Sequence, residues 1–258
     1  MNNHNTSETF ETQALTEHLR ELRSCLIISF IAIAIGFALS YTVVRPVGSW
    51  FFAPLTAVLP EDTSIIFTSY QEGFFFYLKL ALVCGILAAS PVIFSQLWRF
   101  VAPGLYKHER RVLIPFSILS TICFVGGAVF GYFVVFPPAF KFLVGYNSEF
   151  LTSLPGVSEY FTLATRLLLA FGFIFEMPIM MVFLAKAGMI DAAFLNRNRK
   201  YAILIDFIIA AILTPTPDIV NQLMMAVPLM LLYEISVVLV YLFGKKRFKG
   251  FDGQGDAV

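Results

Sequence analysis

Two long uncharged stretches constrain this chain more than anything else in it. Ser24 to Val44 is a run of 21 residues without a charge, and Val112 to Phe140 is another of 29. At ~1.5 Å of rise per residue each is long enough, as a helix, to cross a hydrocarbon core of ~30 Å. Composition agrees. Hydrophobic residues make up 58% of the chain and charged ones 14%, where an ordinary soluble domain has roughly a quarter charged.

Three further stretches read as spans. Residues 73–98 carry only Lys79, residues 160–186 carry Arg166 and Glu176 before ending at Lys186, and residues 219–244 carry only Glu234. The remaining apolar run, Tyr201 to Leu213, has 13 residues, giving roughly 20 Å of helix. It is either a short span or a re-entrant one.

The positive charges decide between these. Fourteen of the 18 Lys and Arg residues fall on one side if the short run is a true span: Arg20 and Arg23; Arg99, Lys107, Arg110 and Arg111; Lys186, Arg197, Arg199 and Lys200; and Lys245, Lys246, Arg247 and Lys249. Treating it as buried breaks that alternation. Because Lys and Arg collect on the cytoplasmic side, the expectation is an all-α polytopic membrane protein of six spans with both termini cytoplasmic. The spans are placed at about 24–44, 73–98, 112–138, 160–186, 201–213 and 219–243, with polar tails at 1–14 and 245–258. The second tail is expected to be disordered. Prolines at 91, 115, 137, 138, 178 and 228 predict tilted, kinked helices.

Net charge is only +1, so no broad basic surface points to nucleic acid. Cys25, Cys84 and Cys123 all lie within apolar runs and fit neither a disulfide framework nor a metal site. The N-terminal residues lack the pattern of a cleaved signal. "HERR" resembles the start of a zinc-protease motif, but Val112 stands where the second histidine is needed. Nucleotide-binding and serine-hydrolase motifs are absent too, and no cofactor, metal or catalytic activity is expected.

Leu15, Leu19, Leu22 and Leu26 recur at helical spacing, which predicts an amphipathic helix running into the first span. Glu21 on that helix and Glu109 among Lys107, His108, Arg110 and Arg111 have an ordinary reading as solvated, paired charges. Yet both belong to the cytoplasmic face, and two carboxylates together suit a dicationic ligand, because arginine's planar fork matches a carboxylate bidentately. Glu176 lies within a span, where an isolated charge costs at least ~2.5–3.5 kcal/mol. It is read as part of a polar groove or partner contact, with a structural network as the alternative. Lys79, Asp206 and Glu234 are expected to snorkel to the interface.

Six segments in order, "HLRELR", "APL" at 53–55, "SPVIFSQLWRFVAPGLYKHERR", "GYFVVFPPAF", "AFGFIFEMP" and "LTPTPD", resemble the TatC family. TatC is the multi-spanning receptor subunit of the twin-arginine, Sec-independent protein translocase. The likeness runs from about Leu15 to Phe243. It implies a glove-shaped bundle of six helices in the cell inner membrane that recognises twin-arginine signal peptides of folded proteins.

Carried over by position, Glu21 and Glu109 bind the two arginines. Arg23 shapes that site, Phe100 and Pro103 form its cytoplasmic loop, and Lys107 balances its charge. Glu176 becomes the groove glutamate, Pro54 lies on the outer loops, and Asp218 and Gln222 flank the last short turn. The resemblance also implies single-span partners like TatA and TatB, self-association in a receptor complex, and a drive from the proton gradient. It implies a sixth span shorter than the apolar run at 219–244. Arg166 and Arg20 depart from the family's pattern. Two rivals stand beside this reading: a proton-coupled small-solute transporter using Glu176, Arg166 and Asp206 as a relay, and a passive assembly scaffold.

Overall fold

The computed structural model describes residues 3–59, 65–101, 113–145, 155–214 and 218–244, with side chains from Thr16 onward. Among the described residues, five helical stretches are long and apolar enough to cross a membrane: Thr16–Thr42, Glu72–Val101, Leu113–Val144, Val157–Lys186 and Ile219–Phe243. The chain divides into two units, Met1–Gly172 and Phe173–Val258.

The first unit contains α1 (Asn3–Thr42), α2 (Val44–Phe51), α3 (Ala53–Thr56), α4 (Glu72–Val101), α5 (Leu113–Phe130), α6 (Phe136–Val144) and most of α7 (Val157–Ile174). Helix α1 starts inside the segment expected to be a polar tail. Helices α1 and α4 cross where glycine removes the side chain from both. A Cβ on Gly36 would stand 2.6 Å from the carbonyl oxygen of Gly85, and one on Gly85 would stand 2.6 Å from the backbone nitrogen of Phe37. Backbone meets backbone at that crossing.

The leucine stripe is not the face that packs. Leu19 and Leu26 are 61% and 49% exposed, while Cys25 and Gly36 are buried and Leu22, Ser29 and Ala32 half-buried. For a helix in lipid, large apolar side chains suit the outside as well as the inside, and small residues let backbones approach.

Helices α5 and α6 are one rod interrupted by a π-helical turn at Gly131–Val135. Pro137 and Pro138 donate no N–H, so the carbonyls of Phe133 and Val134 lose their ordinary partners and the helix widens there. Trp98 of α4 donates its indole N–H to the Ser120 hydroxyl of α5 at 2.8 Å, and both residues are buried.

Around α2 and α3 the packing is aromatic. Phe52 stacks on Phe76 at 4.9 Å and on Tyr160 at 5.1 Å, and Trp50 stacks on Tyr132 at 4.1 Å. The hydroxyls of Tyr160 and Tyr132 donate to the carbonyls of Phe51 and Trp50 at 2.7 and 2.5 Å. Nearby, Ile66 forms a parallel bridge with Gly156. Its N–H donates to Pro155 and its carbonyl accepts from Val157, both at 3.1 Å.

The second unit contains α8 (Met177–Lys186), α9 (Ala192–Arg197), α10 (Arg199–Leu213) and α11 (Ile219–Phe243). Its core gathers Ala185, Leu195, Tyr233, Val237 and Val240, and the buried Tyr233 hydroxyl donates to the Leu195 carbonyl at 2.8 Å. Gly188, at φ 79°, ends α8: Gly188 donates to Ala185 and Met189 to Leu184, each at 3.0 Å. That left-handed residue suits glycine and closes the helix's last carbonyls.

The last helix, α11, has 25 residues, one fewer than its apolar run at 219–244. Pro91 and Pro228 lie inside continuous helices, and interruptions fall at the π turn before Pro137 and Pro138 and at Pro178. One expectation is corrected here. Asp206 does not snorkel: it is buried in the middle of α10, on the face shared with Ala210 and Leu213. Helix α10 has 15 residues, roughly 22 Å.

Candidate functional site

The sequence places its two candidate carboxylates near the start of α1 and between α4 and α5. The described residues bring the first of these regions to the end of α4. The His18 ring of α1 stacks on the Phe100 ring of α4 with centroids 4.3 Å apart and planes 19° from parallel. The two helices therefore run antiparallel, from this stack past the Gly36–Gly85 crossing toward α2.

Glu21 lies three residues beyond His18, so it projects from the same side of α1 one turn further on. Glu21 and Arg23 are exposed and Phe100 is half-buried. Glu109, Lys107 and Pro103 lie outside the described residues. They belong to the segment that follows Val101, with Glu109 nine residues beyond Phe100 and four before Leu113. Arg20, Arg23 and Arg99 supply exposed cations at this end.

Glu176 sits where α7 gives way to α8. Pro178 occupies the first turn of α8, and its ring would clash with the carbonyl four residues back, which is Ile174, the last residue of α7. The interruption thus follows from the proline. Glu176 is 8% exposed, its N–H donates to Phe173 at 3.1 Å and its carbonyl accepts from Met180 at 2.9 Å. Arg166 is exposed on α7.

Three of the remaining candidates make contacts within the protein's own fold. Pro54 is buried in α3. Asp218 caps α11, accepting from the Asn221 N–H at 2.7 Å, and Gln222 donates its amide to the Phe207 carbonyl at 3.1 Å, tying α11 to α10. Glu234 pairs with Arg199 at 2.8 Å. Among the described residues no cluster of three or more His, Cys, Asp or Glu side chains could hold a metal ion.

Two residues stand out in the structure and not in the sequence. His18 carries no role in the sequence reading; its side chain is exposed, yet its ring lies flat on Phe100. Glu72 reads only as the end of a loop. Its carboxylate accepts the N–H of Thr68, Ser69 and Ser158 at 2.6, 3.3 and 2.5 Å, and the Thr68 hydroxyl at 3.0 Å.

Residues 17–228 match the family described as Sec-independent protein translocase protein (TatC). The TatC protein of Desulforapulum autotrophicum is 47% identical over 237 residues, 92% of this chain and 87% of that protein. The TatC protein of Aquifex aeolicus is 44% identical over 235 residues, covering 90% and 97%. A crystal structure of the twin-arginine translocase receptor TatC in the detergent DDM superposes with a TM-score of 0.76 at 43% identity, covering 86% of this chain and 99% of that one.

Proposed function

The chain belongs to the TatC family of Sec-independent protein translocase proteins, and from that premise we propose that it receives the twin-arginine motif of a signal peptide between Glu21 and Glu109. The family is one of non-enzymatic transport proteins, and the chain's role is that of the receptor component in twin-arginine protein translocation. The small-solute transporter reading gives way to that assignment.

One observation carries the placement of the site. The stack of His18 on Phe100 holds the turn of α1 that bears Glu21 against the end of α4, from which the segment containing Glu109 departs. Each guanidinium can then take a carboxylate bidentately. At about 1.5–3 kcal/mol for a charge-assisted contact, losing one carboxylate weakens binding by roughly one to two decades.

The receptor's setting follows the positive charges. Six spans in a glove-like bundle, with both termini and the Glu21 end cytoplasmic, keep fourteen of 18 Lys and Arg residues inside. The peptide's apolar part then enters the membrane, and Glu176, a carboxylate at the helix break before Pro178, is the groove residue that the family resemblance implies. Arg23, Phe100, Pro103 and Lys107 complete the cytoplasmic site. Single-span subunits like TatA and TatB, and further copies of the chain, assemble on the outside of the helices with membrane lipid between them.

A photoreactive amino acid at Phe100, compared with one at the fully exposed Tyr70 beyond the other end of α4, tests the placement. Cross-linking of an Arg-Arg signal peptide from position 100 and not from position 70 is the expected result. Cross-linking from position 70 alone would overturn it.

A further inference from the structure

We propose that the corner where α9 meets α10 binds an acidic phospholipid of the cytoplasmic leaflet, with the phosphate held by Arg197 and Lys200 and the acyl chains lying against Met189 and Phe194. The choice of leaflet rests on the receptor reading above. The site itself rests on the second unit of the fold alone.

The corner is rich in positive charge. From Lys186 to Tyr201 the chain carries four cations, Lys186, Arg197, Arg199 and Lys200, and one carboxylate, Asp191. Asp191 is engaged as the N-cap of α9, where its Oδ1 accepts the Phe194 N–H at 2.6 Å. Glu234 of α11 reaches the corner too, and it takes Arg199 at 2.8 Å. Arg197 and Lys200, exposed on either side of Arg199 in the chain, are the surplus. A phosphate answers it well, because a guanidinium takes two of its oxygens at once and an ammonium adds a point contact.

Apolar surface distinguishes a lipid from a free anion. Met189, Phe194 and Tyr201 are all exposed among these cations, and the Lys200 ammonium lies 5.0 Å from the centre of the Tyr201 ring. Cations set beside large apolar side chains at the end of a span match a headgroup joined to hydrocarbon. A soluble phosphate leaves the apolar groups uncovered.

The corner is also held in place. Leu195 is buried in the core with Ala185, Tyr233, Val237 and Val240, and its carbonyl accepts the Tyr233 hydroxyl at 2.8 Å. The Asn198 amide donates to the Phe194 carbonyl at 2.9 Å. With Leu195 pinning one side of α9 against α11, Phe194 and Arg197, three residues apart, share the open side.

Helix length brings headgroups to this level. Helix α10 has 15 residues, roughly 22 Å, against a hydrocarbon core of ~30 Å. Either the leaflet dips toward the start of α10 or that start lies beneath the headgroups, and both arrangements set phosphates beside Arg197 and Lys200. Binding there offsets part of the mismatch.

The test titrates the full chain, purified in neutral detergent, with cardiolipin, phosphatidylcholine or glycerol phosphate, and reads retained ligand by native mass spectrometry. Wild type should retain cardiolipin about ten- to thirtyfold more tightly than phosphatidylcholine, glycerol phosphate should not compete, and a photoreactive amino acid at position 194 should capture cardiolipin. Arg197→Gln with Lys200→Gln should lose the preference. Arg45→Gln with Lys141→Gln, which removes two exposed cations elsewhere, should keep it. An unchanged preference in the first pair, an equal loss in both pairs, or effective competition by glycerol phosphate would each overturn the proposal. Cardiolipin selectivity that survives while signal-peptide binding fails supports the site and removes the receptor reading; the reverse removes the site alone.

Discussion

The carboxylate of Glu72 accepts the backbone N–H of Ser158 across 86 residues of chain, at 2.5 Å. Through this contact the first residue of α4 is fastened to the first turn of α7, beside the Ile66–Gly156 bridge. One side chain satisfies three backbone donors and a hydroxyl, all from residues that no helix or sheet would otherwise pair.

Glu72→Ala therefore leaves three N–H groups without their acceptor. Its expected effect is a lower unfolding temperature of the detergent-solubilised protein, together with faster amide exchange at Thr68, Ser69 and Ser158. Glu72→Gln keeps one acceptor oxygen and should lie between the two. Equal exchange rates in wild type and Glu72→Ala would show that the contact contributes nothing.

The crossing of α1 and α4 gives a second test. A methyl on Gly36 or Gly85 meets backbone at 2.6 Å, so Gly36→Ala should destabilise by about 1–3 kcal/mol, the usual cost of overpacking. Gly126 has nothing within 4 Å of its would-be Cβ. Gly126→Ala should be neutral or stabilise by about 0.5–1 kcal/mol, the gain from restricting a helical glycine. Thermal unfolding of both variants checks the contrast.

Trp98 and Ser120 form a buried pair that a mutant cycle can isolate. Trp98→Phe and Ser120→Ala each remove the 2.8 Å bond, and each should cost about 1 kcal/mol or more, since a buried partner is left unsatisfied. The double variant should lose less than the sum. Strict additivity would mean that the bond carries no energy of its own.

The long spans are legible because membrane crossing demands uncharged length, which a sequence displays directly. The break at Glu176 is legible in Pro178 for an equally local reason. What a single sequence hides is which face of a span meets protein. Leu15, Leu19, Leu22 and Leu26 have the better apolar spacing, yet the stripe through Cys25 and Gly36 packs against α4, because lipid accepts leucine as readily as a core does. Asp206 departs from its expected snorkelling for a related cause: its place on the buried face of α10 depends on which neighbour covers that face. The tie between Glu72 and Ser158 depends on the starts of α4 and α7 meeting in space, and nothing in either stretch of sequence announces the other. At the candidate site, Glu21 and Phe100 both follow from the resemblance, and the structure adds His18, which links their helices.

The central claim is that Glu21 and Glu109 read paired arginines, and binding discriminates most directly. Signal peptides carrying Arg-Arg or Lys-Lys are titrated against purified wild type and against the double variant Glu21→Gln, Glu109→Gln. The account predicts that wild type prefers Arg-Arg and that the double variant loses the preference, with Arg-Arg affinity falling by at least about one to two decades. A double variant that still prefers Arg-Arg, or a wild type that never does, would contradict it.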